Sequence, residues 1–212
     1  MTRDEVIQLV TFRLGNRSDM AARAVLEMPL IQTQILEGNS WLPWFLEVDT
    51  AAPNSLATTA QTRYVTLPTD FLSEMEEGHL WITVNGARSR LVKQDFDTAL
   101  ARYPESGAPV VYSLGATKID LFPLPDAVYG LDFKYYGKDA DMAAANVQTL
   151  WLEYAADLVI ALLGEVLAGK HIRNDQLAAS FKQDATEAWS RLYAKHTVRS
   201  EVNMSRSMGG ND

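Results

Sequence analysis

The sequence predicts an α+β protein, mainly α, in which a helical bundle carries an inserted antiparallel β meander. Three observations predict this class. Apolar residues recur at helical spacing near both ends of the chain. The middle third instead has short β-branched and aromatic segments separated by turn-forming residues. At 212 residues the chain can bury one core with a smaller appendage, but hardly two full independent domains.

The first predicted element is a helix at the N-terminus. Thr2 and Glu5 have capping-box spacing, in which the hydroxyl and the carboxylate each satisfy a backbone N–H that has no partner inside the helix. Apolar residues then follow at helical spacing as far as Leu14. Gly15-Asn16 is typical of a helix end. The helix is therefore expected to end near Leu14.

A second helix is expected to run to Gly38, capped by Ser18 or Asp19. Pro29 lies inside it and lacks the N–H donor that a helix interior needs, so the pattern predicts either a kink or two shorter helices. Residues 41–46, with sequence WLPWFL, follow this helix. Their three aromatic rings predict a plug in the core, with a surface anchor for a partner as the alternative.

The middle of the chain is interpreted as an antiparallel meander of five or six strands. Asn85-Gly86 is the strongest hairpin signal, because both residues tolerate positive φ. Strands are expected at 62–67, 80–84, 88–92, 110–114, 117–122 and 129–136, with a short helix at 95–103 capped by Asp95. The acidic run 74–77 is interpreted as a solvated turn before the second strand.

Two helices are predicted after the strands. Asn146 is expected to cap the longest helix of the protein, which is apolar on more than one face. A turn at 169–173 follows, and Asn174 or Asp175 caps a last helix that ends near residue 196. The expected domains are therefore a bundle of 1–48 and 146–196, a β insertion at 60–138, and a C-terminal tail at 197–212 that is mobile in the isolated chain.

Composition excludes several classes of function. The net charge of −8 argues against broad binding to nucleic acid, which relies on clustered cations. The C-terminal end is the exception, because Arg191, Lys195, Arg199 and Arg206 outnumber Glu201. No apolar run reaches the roughly 18 residues of a membrane span. The N-terminus has no secretory signal and the chain has no cysteine, so synthesis in a reducing cytosol is expected.

The search for chemistry finds no catalytic motif, and neither a cofactor site nor a metal site is expected. His79, His171 and His196 lack second ligands at zinc-site spacing. Phosphate-cradling and nucleophile-elbow motifs are also missing. The alternative is an enzyme or ligand-binding protein with a scattered site in the β region. Its candidate residues are Glu74, Glu76, His79 and Asp120.

In the order of its motifs, the chain resembles the head-to-tail adaptor (connector) proteins of tailed bacteriophages. The resemblance spans nearly the whole chain. It is carried by the initial helix pair ending in WLPWFL, LPTDF at 67–71, Asp95-Phe96, Pro109 with Tyr112, LFPLPD at 121–126, Tyr135-Tyr136 and the apolar helix after Asn146. It implies a non-enzymatic virion protein of the neck, made in the cytoplasm of the bacterial host. Another neck or tail component, such as a stopper, is the nearest alternative.

The resemblance also implies the partners. About twelve copies would form a ring beneath the portal protein and join the DNA-filled head to the tail. Downstream tail or nozzle proteins would dock below, and DNA would only pass through the lumen, with no membrane involved. The portal-binding candidates are Lys195, Arg199, Met204, Arg206 and Met208, with a plain disordered tail as the alternative. Trp81 and Tyr112 are expected in the sheet core, with contact to a tail protein as the alternative.

Overall fold

The structure is a computed structural model that describes residues 1–37, 41–50, 56–145 and 147–208, apart from the side chains of 76–78 and 200–208. Its contacts divide the chain into two compact units. Met1–Leu46 and the chain from Asp139 onward form the helical unit, and Glu47–Lys138 forms the β unit. The fold class is mixed α+β, as predicted. The narrower expectations of a helical bundle and of a mainly helical protein stay predictions.

Helix α1 (Arg3–Arg13) begins as the sequence predicts. The Thr2 hydroxyl accepts a hydrogen bond from the Glu5 backbone N–H, and the Glu5 carboxylate accepts one from the Thr2 N–H at 2.8 Å. The helix ends at the predicted position, because Leu14 is the C-cap and Gly15 follows with φ 83°. The capping box and the helix end are both confirmed.

Helix α2 (Ala21–Glu37) begins differently from the prediction. The Asp19 carboxylate binds the Arg17 guanidinium at 2.7 and 2.8 Å, and a 3₁₀ turn over Ser18–Met20 leads straight into the helix. The predicted side-chain cap at Ser18 or Asp19 is therefore wrong. Pro29 lies inside one continuous helix, so the two-helix alternative is also wrong. The predicted end at Gly38 lies outside the described residues.

The predicted WLPWFL plug is confirmed. Trp44–Leu46 forms a 3₁₀ turn in which Phe45 and Leu46 are buried. The Phe45 ring meets the fully buried Trp151 ring edge-on, with 5.0 Å between their centroids. This contact ties the turn to the C-terminal helices of the same unit.

The apolar segment predicted as one long helix is divided. Helix α4 (Leu150–Tyr154) is capped by Thr149 and ends at Ala155, where helix α5 (Ala156–Val166) begins. A π-helical segment, Leu167–Ile172, follows α5 at the place where a turn was predicted. The predicted cap Asn146 lies outside the described residues. Thr149 is the residue that accepts the bond, from the Leu152 N–H at 3.3 Å.

The longest described helix is α6 (Asp175–Met208), with 34 residues, and not the apolar helix before it. Asn174 caps it as predicted, because its side-chain oxygen accepts from the Leu177 N–H at 3.0 Å. The helix continues beyond residue 196, where the apolar pattern stops. Helical backbone therefore occupies 197–208, although the predicted mobility of this segment stays a prediction.

The β unit contains nine described strands and helix α3 (Phe96–Arg102). The strands are β1 (Glu47–Asp49), β2 (Leu56–Ala57), β3 (Tyr64–Thr66), β4 (Phe71–Val84), β5 (Ala87–Arg90), β6 (Val92–Lys93), β7 (Val111–Leu114), β8 (Lys118–Phe122) and β9 (Gly130–Gly137). Two of the predicted local signals are confirmed. Asp95 caps α3 by accepting from the N–H groups of Asp97 and Thr98, and Asn85 and Gly86 have φ 52° and 80° in the β4–β5 hairpin.

The strands form two sheets and not the predicted meander. One sheet has the order β1-β9-β4-β5 with β2 also paired to β9, and the other has the order β3-β8-β7-β6. The chain leaves the first sheet after β5, and β6 then pairs with β7 in parallel. Both sheets contribute to one apolar core, which includes Val65, Leu80, Ile82, Tyr112, Ile119, Leu121, Leu131 and Phe133.

The prediction of a solvated turn at 74–77 is wrong, because β4 runs through these residues. Glu74 pairs with Tyr135 of β9, and His79 pairs with the neighbouring Lys134. Between these two pairs the chain therefore advances five residues along β4 but only one residue along β9. The residues between Glu74 and His79 form an extended bulge, a device that bends a strand without ending it.

Candidate interaction surfaces

The last helix is held by a cluster of aromatic rings in the helical unit. The Trp41 ring centroid lies 5.0 Å from Trp189, 5.2 Å from Tyr193 and 5.0 Å from His196. Aromatic pairs in this range stabilise a structure beyond the area that they bury. The loop after α2 therefore fixes the second half of α6, where the basic candidates lie.

Two of the predicted portal-binding cations lie on this part of α6. Lys195 is exposed and borders a cleft of about 260 Å³, together with Arg191 and Asp157. The Arg199 guanidinium lies over the Trp44 ring, 5.6 Å from its centroid. Lys195 and Arg199 are thus one helical turn apart on a helix that aromatic contacts hold in place.

The other three portal-binding candidates share the same helix. Met204, Arg206 and Met208 have helical backbone, and their side chains lie outside the described residues.

Trp81 occupies an outer face of the first sheet in the β unit, and not the interior. Its ring lies 4.7 Å from the Arg88 guanidinium and 6.0 Å from the Lys134 ammonium, and the His79 ring is 5.4 Å away. Trp81 is half-buried among these polar groups. The expectation of a sheet-core role is therefore wrong for Trp81, and the alternative of a partner contact keeps its physical basis.

The two cations beside Trp81 are themselves paired. Arg88 binds Asp132 at 2.9 Å and Lys134 binds Asp49 at 3.0 Å. We call Trp81, His79, Arg88 and Lys134 the Trp81 face. Tryptophan and arginine are enriched among the residues that dominate the energy of protein interfaces, so its composition suits a protein partner.

Tyr112 lies in the core, as expected. It is fully buried and donates its phenolic hydrogen to the Glu74 carboxylate, which also binds the Lys93 ammonium. Burial, followed by the hydrogen bond to Glu74, raises the pKa of Tyr112. A residue with no exposed surface cannot contact a partner in this conformation, so of the two candidates only Trp81 has a side chain at the surface.

The scattered enzyme site gains no support from the geometry. Glu74 is held by Tyr112 and Lys93, and the buried Asp120 pairs with Lys118 at 3.1 Å. His79 lies beside Trp81, and the Glu76 side chain is outside the described residues. Within the described ranges no three His, Asp or Glu side chains are grouped closely enough to hold a metal ion.

One ionic cluster was not found by sequence reasoning. Glu27 of α2 is only 7% exposed, and its Oε1 lies 2.7 Å from Lys170 Nζ and 2.8 Å from His171 Nε2. The Lys170 ammonium, with support from His171, holds the pKa of Glu27 below its usual range against the opposing effect of burial. These residues are 143 and 144 positions apart, and no local pattern marks such a pairing.

The outer faces of α1 and α2 expose apolar side chains. Leu9 and Phe12 on α1 are 44% and 67% exposed, and Leu26 and Leu30 on α2 are 73% and 60% exposed. Each pair is three or four residues apart and so lies on one side of its helix. Such surfaces typically mark contacts between proteins.

The half-buried Trp81 and the exposed apolar side chains of α1 and α2 are typical of the class of proteins that bind other proteins. Comparison with family models agrees with this class. The model described as "SU10 adaptor protein" matches residues 1–209. The chain belongs to this family of phage adaptor proteins, which is not an enzyme class, and the resemblance in the sequence is confirmed.

Two further searches concern curated relatives and membrane-spanning helices. A search of curated proteins finds no match to the chain. Over the residues that the structure describes, none of the helices combines the length and the apolar composition of a membrane span.

Proposed function

We propose that this protein is the head-to-tail adaptor of a tailed bacteriophage and forms a ring of about twelve copies beneath the portal. The ring would join the DNA-filled capsid to the tail and continue the channel through which DNA leaves. The observation that carries this proposal is the match of the adaptor family to residues 1–209. Its place in the virion would be the neck, after synthesis in the bacterial cytoplasm.

The portal would bind the basic end of α6. Lys195 and Arg199 lie on a formed helix that the Trp41 and Trp44 rings hold to the body. A preformed helix loses less conformational entropy on docking than a disordered tail, which favours affinity. Arg206, Met204 and Met208 would extend the contact further along the helix. The cations suit an acidic groove on the portal.

The acidic remainder of the protein suits a DNA channel. The net charge of −8 is concentrated outside the basic C-terminal end. Negative charge around a lumen repels the phosphate backbone, so DNA would pass through without adhering. The protein therefore has no need of a nucleic-acid-binding site.

A downstream tail or nozzle protein would bind the Trp81 face. This face offers a half-buried tryptophan between two cations, and both cations are already oriented by aspartates. Pre-oriented side chains lower the entropic cost of forming an interface. The β unit would thus contact the tail, and the helical unit would contact the portal.

The test is assembly with the portal protein of the same virus, measured as the mass of the purified complex. Full-length protein should add about twelve copies to the portal ring. A chain truncated after Ala194 should add none, because it lacks Lys195, Arg199 and the rest of the basic end. A second truncation after Arg199 keeps the described contacts to Trp41 and Trp44 and removes only the last part of the helix.

The two truncations separate docking from folding. If both keep the thermal unfolding midpoint of the full-length protein within a few degrees and fail to bind the portal, the docking segment is 200–212. If only the shorter chain fails to bind, the contact lies at 195–199. Absence of binding by the full-length protein at micromolar concentration would overturn the proposed function.

A further inference from the structure

We propose that neighbouring copies of this chain contact each other through two different helix faces, the Phe12 face of α1 on one copy and the Leu26 face of α2 on the next. The Phe12 face is Glu5, Leu9 and Phe12. The Leu26 face is Arg23, Leu26 and Leu30. This inference rests on the ring of the proposed function and identifies where its subunits meet.

Exposure identifies both faces. Phe12 is 67% exposed, Leu26 is 73% exposed and Leu30 is 60% exposed. Single exposed apolar side chains are ordinary on a soluble protein. Here each comes with a second exposed apolar residue one turn away on the same helix, so each helix presents a continuous apolar stripe. Both stripes lie on the helical unit, opposite the buried residues Val10 and Ile31 of the same helices.

Charge and spacing make the two faces complementary. In parallel alignment, exposed Glu5 on one helix would meet exposed Arg23 on the other. At 1.5 Å per residue, Leu9 and Phe12 lie about 6 and 10 Å beyond Glu5, and Leu26 and Leu30 lie about 4.5 and 10 Å beyond Arg23. One register therefore places Leu9 beside Leu26 and Phe12 beside Leu30.

The two charged residues remain able to form this contact. Arg23 uses Nη1 toward His171 at 3.2 Å, and a guanidinium has further N–H donors. Glu5 uses Oε2 in its capping box, which leaves Oε1. The faces are thus oriented in the free chain before a neighbour arrives.

A contact between unlike faces has a definite consequence for assembly. It is head-to-tail, so each copy offers one unused face to the next, and the assembly closes as a ring or continues as a filament. A contact between like faces would stop at two copies. Another copy of this chain is therefore the partner that fits both the Phe12 face and the Leu26 face.

Cysteine cross-linking tests this arrangement, and this chain contributes no background to it because its sequence has no cysteine. The variants are Phe12→Cys, Leu30→Cys and the double variant, each treated with a short bismaleimide both alone and in the complex with the portal. We expect the double variant to give a ladder of dimers, trimers and larger products. Each single variant should stay uncrosslinked, and an equimolar mixture of the two should stop at the dimer.

The control is a pair of exposed positions on α6, Gln183→Cys with Ser190→Cys, which should give no ladder under the same conditions. Cross-linking of a single variant, or a double variant no better than the control, would overturn the inference. If the portal complex assembles with its full mass and still yields no ladder, only the inference fails. If no complex forms, the proposed function fails.

Discussion

The Nε2 atom of His171 lies 2.8 Å from the Oε1 atom of Glu27, across 144 positions of the chain. The other ring nitrogen, Nδ1, lies 3.2 Å from Arg23 Nη1. Because a guanidinium can only donate, Nδ1 must accept and Nε2–H must donate to Glu27. The two contacts of His171 tie α2 to the π-helical segment.

We expect Glu27→Gln to lower the free energy of unfolding by about 1–3 kcal/mol, because it weakens two hydrogen bonds that end on a buried charge. The measurement is urea denaturation at neutral pH. Glu37→Gln, at the exposed end of the same helix, is the control and should change stability by less than about 0.5 kcal/mol. Equal effects of the two substitutions would show that the cluster contributes nothing specific.

Glu27 should also contribute to the acid sensitivity of the protein. Its pKa in the folded state is below the ordinary value of 4.5, mainly because of Lys170. Its carboxylate therefore stabilises the fold above that value, and this contribution is lost as the pH falls through the folded pKa. We expect the difference between wild type and Glu27→Gln to shrink below about pH 4. If wild type and Glu27→Gln lost stability in parallel as the pH falls, with a constant difference between them, Glu27 would not be the source of this acid sensitivity.

Gly164 permits the close packing of α5 on α6. A Cβ atom at this position would lie 2.4 Å from the Phe181 ring, well inside van der Waals contact. We expect Gly164→Ala to destabilise the protein by about 1–3 kcal/mol, despite the better helix propensity of alanine. Gly169→Ala is the matched control, since its nearest neighbour is 3.6 Å away. The prediction fails if both variants have the same thermal midpoint.

Trp41 should control the order of the second half of α6. Trp41→Ala removes ring contacts to Trp189, Tyr193 and His196. For a half-buried side chain we expect a loss of about 2–3 kcal/mol. Amide hydrogen exchange should accelerate at 189–199 first. Trp81→Ala, in the other unit, should leave exchange in this segment unchanged, and acceleration there would argue against a local role for Trp41.

Tyr112 should make the β unit sensitive to alkaline pH. In the unfolded chain a tyrosine ionises near 10, but burial and Glu74 raise the pKa of Tyr112 in the folded state. The folded state therefore keeps its proton where the unfolded state loses it, and stability falls as the pH rises above 10. Tyr112→Phe should reduce this fall, measured by urea denaturation from pH 8 to about 11. An unchanged alkaline slope would contradict the assignment.

Local signals in the sequence predicted local structure well. Thr2 with Glu5, Asp95 and Asn174 act within one turn of their own positions, and each caps the helix predicted for it. Asn85-Gly86 likewise needs only its own φ angles. Such features depend on neighbours in sequence, so one sequence suffices to find them.

Long-range features were not predictable in the same way. β6 pairs with β7 in parallel because the chain crosses to the second sheet after Arg90. The apolar pattern of the sequence does not indicate this crossing. The end of α6 was misplaced because apolar periodicity stops near 196, whereas helical backbone does not need an apolar stripe to continue. Trp81 looked like a core residue by composition, but its neighbours in the sheet are charged.

Charge reversal at Lys195 should separate portal binding from folding. Lys195 is exposed on a helix that other residues hold, so Lys195→Glu should leave the unfolding free energy within about 0.5 kcal/mol of wild type. If Lys195 faces an acidic groove, the substitution replaces attraction by repulsion, and portal affinity should fall about 10-fold or more. The fall should shrink at high salt, because salt screens exposed charges. Lys182→Glu makes the same change nearer the start of α6 and should keep wild-type affinity. Equal losses for both variants would mean that net charge, and not a contact at the end of α6, controls docking.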